Sequence, residues 1–382
     1  MTQPTTTVFE RMSRLAQELG AINLGQGFPD MPEPSALIEA ARNALTERSN
    51  QYPPMRGLPE LRRTIAGYYA QAQGLTIDPD DVVVTSGATE ALAAAILALV
   101  RPGDEVILVQ PLYDAYLPLV QRAGGVARVV SLTPPDWALS IEDIAAIISP
   151  RTRALILNTP NNPTGAVLDA GAWEALGRLC VRHDLTIIAD EVWEAMLFDG
   201  VEHVPPHGLA ALRERTVKIG SAGKIFSLTG WKVGWCVAAP DLSARIAAQH
   251  QFLTFTTATP LQWAVADGLA LDAAWHAAHR ARYERARRRL VEGLTRAGYV
   301  VLPSNGTWFV IVDLAASGLP ADDVMVAERM IREAGVASIP VSAFYVEQPE
   351  RGYLRLCFAK SDETIDAAIV RLAAFRSKFS AG

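Results

Sequence analysis

"DVVVTSGATEALAAAILALV" (residues 81–100) passes from a valine-rich segment through Gly87 into an alanine- and leucine-rich one. The first half suits a strand, whereas "ALAAAILALV" (91–100) is a good helix former. A helix that is apolar all round is buried. At about half the roughly 20 residues needed to span a bilayer, it is a core helix rather than a membrane span. A strand that runs straight into such a helix opens a β–α unit.

The alternation continues down the chain. "DEVILVQP" (104–111), "ARVVSL" (127–132), "RALILNTP" (153–160), "LTIIADE" (185–191) and "TVKIGSAG" (216–223) are short apolar runs separated by helical patterns. Near-continuous apolarity predicts strands covered on both faces, hence an α/β fold with a largely parallel sheet between helices. From about residue 280 the pattern changes. "GYVVLPSNGTWFVIVDL" (298–314) has the form of a hairpin, and a helix over 322–335, the strand "YLRLCFA" (353–359) and a final helix follow. This predicts a smaller α+β lobe, joined by the N-terminal segment, and 382 residues are enough for two lobes.

Composition narrows the possible partners. A formal charge of -6 gives no reason to expect nucleic acid or an anionic membrane. The one basic run, "HRARYERARRRL" (279–290), is spaced as the solvated face of a long helix, with Tyr283 and Leu290 on other faces. Three scattered cysteines, Cys180, Cys236 and Cys357, argue against a disulfide framework and fit a reducing compartment. The six histidines lack metal-ligand spacing, so no metal site is expected. The first twenty residues lack the apolar core of a signal peptide, which predicts a cytoplasmic protein.

In sheets of this kind, ligands bind beyond the carboxyl ends of the strands. At the first such end, "TSGATEAL" (85–92) offers free backbone N–H groups at a helix start, which suit an anion such as phosphate. By itself it is an ordinary capped turn. "LTIIADEVW" (185–193) ends in two carboxylates, one able to point over the strand end while the other faces outward. A buried Asp190 needs a cationic partner or several donors; the partner is either a structural arginine or a protonated heterocyclic nitrogen. "NTPNNPTG" (158–165) is an irregular loop presenting Asn161 and Asn162. The chain has only five lysines, and three of them fall within "KIGSAGKIFSLTGWK" (218–232). Lys218 is expected to decorate the strand leading in. Lys224, a few residues past a strand, is either a loop lysine or an amine of lowered pKa that can form a Schiff base. A phosphate-binding turn, a carboxylate for a ring nitrogen, an asparagine loop and an amine together are the fittings for pyridoxal 5'-phosphate.

With these residues in order, the sequence resembles the class I/II aminotransferases of fold type I, and within them the branch of kynurenine/glutamine transaminases and methionine aminotransferases. The resemblance covers nearly the whole chain. Besides the stretches above, it rests on "INLGQGFPD" (22–30), "NQYPPMRGLPELR" (50–62), "GSAGKIFSLTGWKVGW" (220–235), "IPVSAFY" (339–345) and "RLCFAK" (355–360). It implies a large cofactor-binding domain over 46–280 around a mostly parallel seven-stranded sheet. A small domain would be formed by 281–382 with a contribution from 1–45.

Carried over by position, the resemblance implies that Lys224 holds the cofactor as a Schiff base and moves the proton between Cα and C4'. Asp190 would pair with the pyridine nitrogen, Asn162 would donate to the ring hydroxyl oxygen, and Tyr113 would stack on the ring. Gly87, the N–H groups of Ala88 and Thr89, the Ser221 hydroxyl and Lys232 would hold the phosphate. Tyr52 would reach the phosphate of a neighbouring subunit, implying a homodimer with shared sites. Arg355 would clamp the substrate carboxylate, helped by Asn162 and the Gly27 backbone. One departure is Trp193, where the family usually has a tyrosine whose hydroxyl donates to the ring oxygen. An indole N–H can donate but cannot accept.

The implied reaction moves the amino group of an L-amino acid to a 2-oxo acid through a pyridoxamine form of the cofactor. Phe28, Tyr113, Trp193, Phe255 and Trp308 are the pocket candidates, and no second arginine is evident for a side-chain carboxylate. Neutral, aromatic or sulfur-containing donors such as methionine, glutamine, phenylalanine or kynurenine are therefore expected. The same machinery would also serve a cysteine-conjugate β-lyase or an aspartate-type aminotransferase. A non-catalytic sensor of this fold would need a DNA-binding domain, for which the chain has no room.

Overall fold

In the computed structural model, which describes residues 7–379, thirteen short strands thread between helices. In chain order these are β1 (Ile22–Asn23), β2 (Val82–Thr85), β3 (Glu105–Gln110), β4 (Val126–Ser131), β5 (Thr152–Asn158), β6 (Thr186–Asp190), β7 (Thr216–Ser221), β8 (Gly234–Val237), β9 (Val300–Val301), β10 (Phe309–Asp313), β11 (Val336–Ala337), β12 (Ile339–Pro340) and β13 (Tyr353–Cys357). Strands β2 to β8 form one seven-stranded sheet in the order β2-β8-β7-β6-β5-β3-β4. Every neighbouring pair is parallel except β8 with its two neighbours. The fold is α/β with a mostly parallel sheet.

Burial explains why the apolar runs are nearly continuous. Every residue of β2, β3, β7 and β8 is buried. On one face Val83, Leu108, Ile156, Ile188 and Ile219 join a core completed by Ala91, Leu92, Ala95 and Ile96 of the helix Ala88–Leu99. On the other, Ile107, Leu155 and Ile187 pack on Trp173 and Leu176. The expectation fails at β4. It is one of the two edge strands and, unlike β2 at the other edge, its residues are mostly exposed or half-buried, so "ARVVSL" is not covered on both faces.

Strands β12-β13-β10-β9 form a second, four-stranded antiparallel sheet, and β1 pairs in parallel with β11. The expected hairpin is β9 with β10, and the final helix runs Asp362–Ser377. The expected helix over 322–335 is α-helical over Asp323–Arg329 and widens into a π turn at Met330–Ala334. The basic run lies on the helix Ala273–Arg296, whose buried residues include Tyr283 and Leu290. All three cysteines are free and buried. Residues 1–6 and 380–382 of the segments 1–45 and 281–382 lie outside the described residues.

Two expectations about charge are overturned. Lys218 does not decorate a strand: it is 0% exposed, and its Nζ lies 2.6 Å from both Glu191 Oε2 and Glu194 Oε2. Glu191 does not face outward but is also fully buried, bonded to His203 as well. Side chains alternate across a strand, so Asp190 and Glu191 emerge on opposite faces of the sheet. Burial alone would lower the Lys218 pKa, but the two carboxylates more than offset it and hold the ammonium charged. Tyr69 and Gln73 complete the cluster with hydrogen bonds to Glu194 at 2.7 and 2.6 Å. Glu191, Glu194 and His203 bring ligand-type atoms within 4.8 Å of one another, yet Lys218 already supplies the cation to both carboxylates.

Candidate active site

The carboxyl ends of β5, β6 and β7 converge on a cavity of about 220 Å3. Its lining includes Gly87, Ala88, Thr89, Tyr113, Asn158, Asn162, Asp190, Trp193, Ser221, Lys224 and Lys232. Apart from Tyr52, all the predicted cofactor-contacting residues thus meet in one place. Register accounts for the grouping: Asn158 stands beside Asp190 on adjacent parallel strands, and Ser221 ends the next one.

Asp190 is 4% exposed and has no arginine partner among the described residues, which removes the structural-pair reading of this carboxylate. Its Oδ2 accepts a 2.5 Å hydrogen bond from the Tyr116 hydroxyl, and the Val192 N–H reaches Oδ1 at 3.4 Å. Burial pushes the carboxyl up from 3.8 to about 6, against the pull of these two donors and of Lys224. A protonated ring nitrogen is the partner such a group lacks. Tyr116 was missed in the sequence; its spacing of three from Tyr113 at a helix start was the available signal.

Lys224 lies in the short helix Ala222–Ile225 after β7. Its Nζ sits 4.6 Å from the centre of the Trp193 ring and 5.1 Å from that of Trp308. Burial pulls its pKa down from 10.5 to about 8; Cys357 and Asp190 oppose this, and Arg355 and Lys232 add to it. The amine can therefore lose its proton at accessible pH, as a Schiff-base lysine must.

The phosphate end is a cradle without room for side chains. Gly87, at φ 77°, caps the helix Ala88–Leu99, and a Cβ there would stand 3.2 Å from Lys232 Nζ. A Cβ on Gly234 would come within 2.6 Å of the Ala88 nitrogen. Amine, lone carboxylate, helix start and nearby cation fit pyridoxal phosphate at its three attachment points.

Arg355 lies beside this cavity on β13, 4% exposed. Its guanidinium donates to Asn162 Oδ1 at 2.7 Å and to the Gly25 carbonyl at 2.6 Å. Its Cζ stacks 3.9 Å from the centre of the Phe309 ring and 4.8 Å from that of Phe344. Gly25, two residues before Gly27, accepts from the arginine directly. A Cβ on Gly27 would lie 2.6 Å from the Phe309 ring, so that backbone must stay bare.

Four aromatic candidates stand apart from the cavity wall. Trp308 is fully buried behind Trp193, with ring centroids 4.9 Å apart. Tyr52 is 83% and Phe255 40% exposed, and their rings pack edge to face at 5.7 Å, away from the cavity of their own chain. Phe28, 47% exposed, lines a second cavity and lies under Lys360, whose Nζ is 4.5 Å from its ring centre.

Comparison with known proteins agrees with this geometry. Residues 20–372 match the family described as aminotransferase class I and II, and the chain belongs to that family. It is 43% identical over 381 residues to a probable N-succinyldiaminopimelate aminotransferase of Mycobacterium tuberculosis, covering 96% of this chain and 95% of that one. To the methionine aminotransferase of Escherichia coli it is 42% identical over 368 residues, with the same coverage. To human kynurenine–oxoglutarate transaminase 1 it is 35% identical over 388 residues, covering 93% and 92%. The solved structure of the E. coli protein superposes with a TM-score of 0.94 over 98% of both chains. The M. tuberculosis enzyme gives 0.93 over 97% of both. The protein is an aminotransferase of fold type I, dependent on pyridoxal phosphate and acting on amino acids and 2-oxo acids. Among the described residues, no helix is long and apolar enough to cross a membrane.

Proposed function

We propose that this aminotransferase takes large neutral, aromatic or sulfur-containing L-amino acids as donors. The observation that carries the reading is the pairing of one buried arginine with a cavity lined by Tyr113 and Trp193. Arg355 is preset by Asn162 and Gly25 beside a cavity whose cations, Lys224 and Lys232, serve the cofactor. Among the described residues no arginine lines the cavity itself, and Arg355 reaches its edge through Asn162.

Bound pyridoxal phosphate supplies an electron sink for the charge left on the substrate Cα when its proton departs. The protein's residues hold and steer. Lys232, the N–H groups of Ala88 and Thr89, and the Ser221 hydroxyl bind the phosphate. Asp190, steadied by Tyr116, keeps the ring nitrogen protonated, and Asn162 donates to the ring oxygen. Tyr113 covers the ring face. Arg355 orients the substrate carboxylate through paired N–H donors. Lys224 Nζ would take the proton from Cα and hold it as an ammonium, and buried Trp193 and Trp308 keep water from that side of the amine.

Further parts of the reading concern assembly. Tyr52 and Phe255 are exposed in one chain and would complete the site of a second copy in a homodimer. The segments 1–45 and 281–382 form a small domain beside a large domain of 46–280, in a cytoplasmic enzyme. The test is a half-reaction panel: single amino acids are added without acceptor and the cofactor absorbance is followed. Methionine, glutamine, phenylalanine and kynurenine should convert the cofactor faster than aspartate. Aspartate ahead of every neutral donor would sink the proposal. N-succinyldiaminopimelate belongs in the panel because of the M. tuberculosis relative. Pyruvate and ammonia released from a cysteine conjugate without acceptor would indicate the lyase.

A further inference from the structure

We propose that Trp193 is a positioning residue for Lys224, its indole face seating the Nζ ammonium where a hydrogen-bond acceptor would otherwise sit. The proposal rests on Lys224 being the reacting amine and goes beyond the substrate reading.

Lys224 Nζ has no hydrogen-bonded carboxylate among the described residues, yet it is surrounded by rings. Its distances of 4.6 Å to Trp193 and 5.1 Å to Trp308 lie within the reach of about 6 Å at which an indole face attracts a cation. Neither ring is free to turn away. Trp193, 3% exposed, meets Trp308 at 78° and Phe309 at 77°, and Trp308 is backed by Tyr283 at 5.6 Å and 22°. The seat is therefore rigid on the side away from the cavity.

The same cluster keeps two like charges in one buried space. Phe309 carries Arg355 at 3.9 Å while its neighbour Trp193 carries Lys224, so each cation has its own ring face. The charged and titratable groups bearing on Lys224 are Cys357 and Arg355 on β13, Asp190 on β6 and Lys232 beyond the loop. Burial dominates and lowers its pKa to about 8, with Arg355 and Lys232 acting in the same direction. An indole face opposes that lowering without offering a basic atom that would compete for the proton. The ammonium is held in place, and its proton stays available.

The experiment uses the full-length holoenzyme with excess donor amino acid, so that the cofactor is in its amine form and Lys224 is free. Acetylation of Lys224 by acetic anhydride is measured against pH by peptide mass spectrometry, with thermal melting alongside. Trp193→Leu should lower the labelling midpoint by about one unit, raising labelling below the midpoint about ten-fold. Trp193→Phe should fall between. Wild-type chain grown with fluorinated tryptophans keeps the ring shape but weakens its face, and the midpoint should drop stepwise with fluorine number. A melting shift with no midpoint shift in Trp193→Phe and in the fluorinated chains overturns the seat, leaving Trp193 only a packing role. If borohydride reduction before donor is added leaves the cofactor label on Lys218 or Lys232, the Lys224 assignment and the seat fall together.

Discussion

Asp190→Asn tests the strand-end carboxylate through stability as well as turnover. In the cofactor-free chain Asp190 is buried and its pKa is raised from 3.8 to about 6. A carboxyl with a raised folded pKa favours the folded state at low pH and loses that advantage as pH rises through the folded pKa. Below the unfolded value both states hold the proton and there is no penalty. Between the two values the unfolded chain releases its proton first, and the penalty grows by about 1.4 kcal/mol per unit. Above pH 6 it levels at about 3 kcal/mol, two units' worth. Asparagine removes the charge but weakens the Tyr116 hydrogen bond, a loss of about 1 kcal/mol. The cofactor-free variant should therefore be about 2 kcal/mol more stable than wild type at pH 8 and no more stable at pH 4. Urea unfolding at the two pH values measures this. With cofactor the order reverses, because only the carboxylate can pair with a protonated ring nitrogen. A cofactor-free Asp190→Asn chain less stable than wild type at pH 8 would refute the argument.

Other perturbations follow from the geometry. Lys224→Arg keeps the charge but cannot lose its proton, and single-turnover conversion of the cofactor should slow by at least about 10^3-fold. Lys218→Met strands two buried carboxylates and should cost about 3–5 kcal/mol in urea unfolding, much of it recovered by adding Glu191→Gln and Glu194→Gln. Arg355→Lys replaces a forked donor by a single ammonium, so kcat/KM for every donor should drop roughly ten- to hundred-fold, with little change in cofactor absorbance. Gly220→Ala would place a Cβ 2.4 Å from Trp235 Nε1 and 2.6 Å from the Tyr69 hydroxyl, disrupting their 2.8 Å hydrogen bond. Thermal melting should show a loss of about 1–3 kcal/mol.

What could be read before the structure was local. Lys224, Asp190, Asn162 and the Gly87 turn each follow an apolar strand, and parallel strands deliver such residues to one rim. Partnerships between distant residues were less legible. Tyr116 lies 74 positions from Asp190, and Gly25 lies 330 from Arg355. Lys218 shows why local pattern can mislead. A lysine in an apolar strand suggests an exposed position, but period-two alternation also permits a buried one wherever carboxylates wait on that face. Glu191 and Glu194 do so here, one from the end of β6 and one from the turn beyond. Strand β8 escaped notice because it follows closely on the two active-site lysines and pairs antiparallel in an otherwise parallel sheet.

The Arg355 contacts set an order of completion during synthesis. The cofactor cradle draws on residues from Gly87 to Val233, so a growing chain holds all of it while β13 has yet to be made. The substrate clamp needs Gly25, Asn162 and Arg355 together, from early, middle and late stretches of the polypeptide. A growing chain thus contains every residue of the cofactor cavity before the last member of the carboxylate clamp, Arg355, has been added.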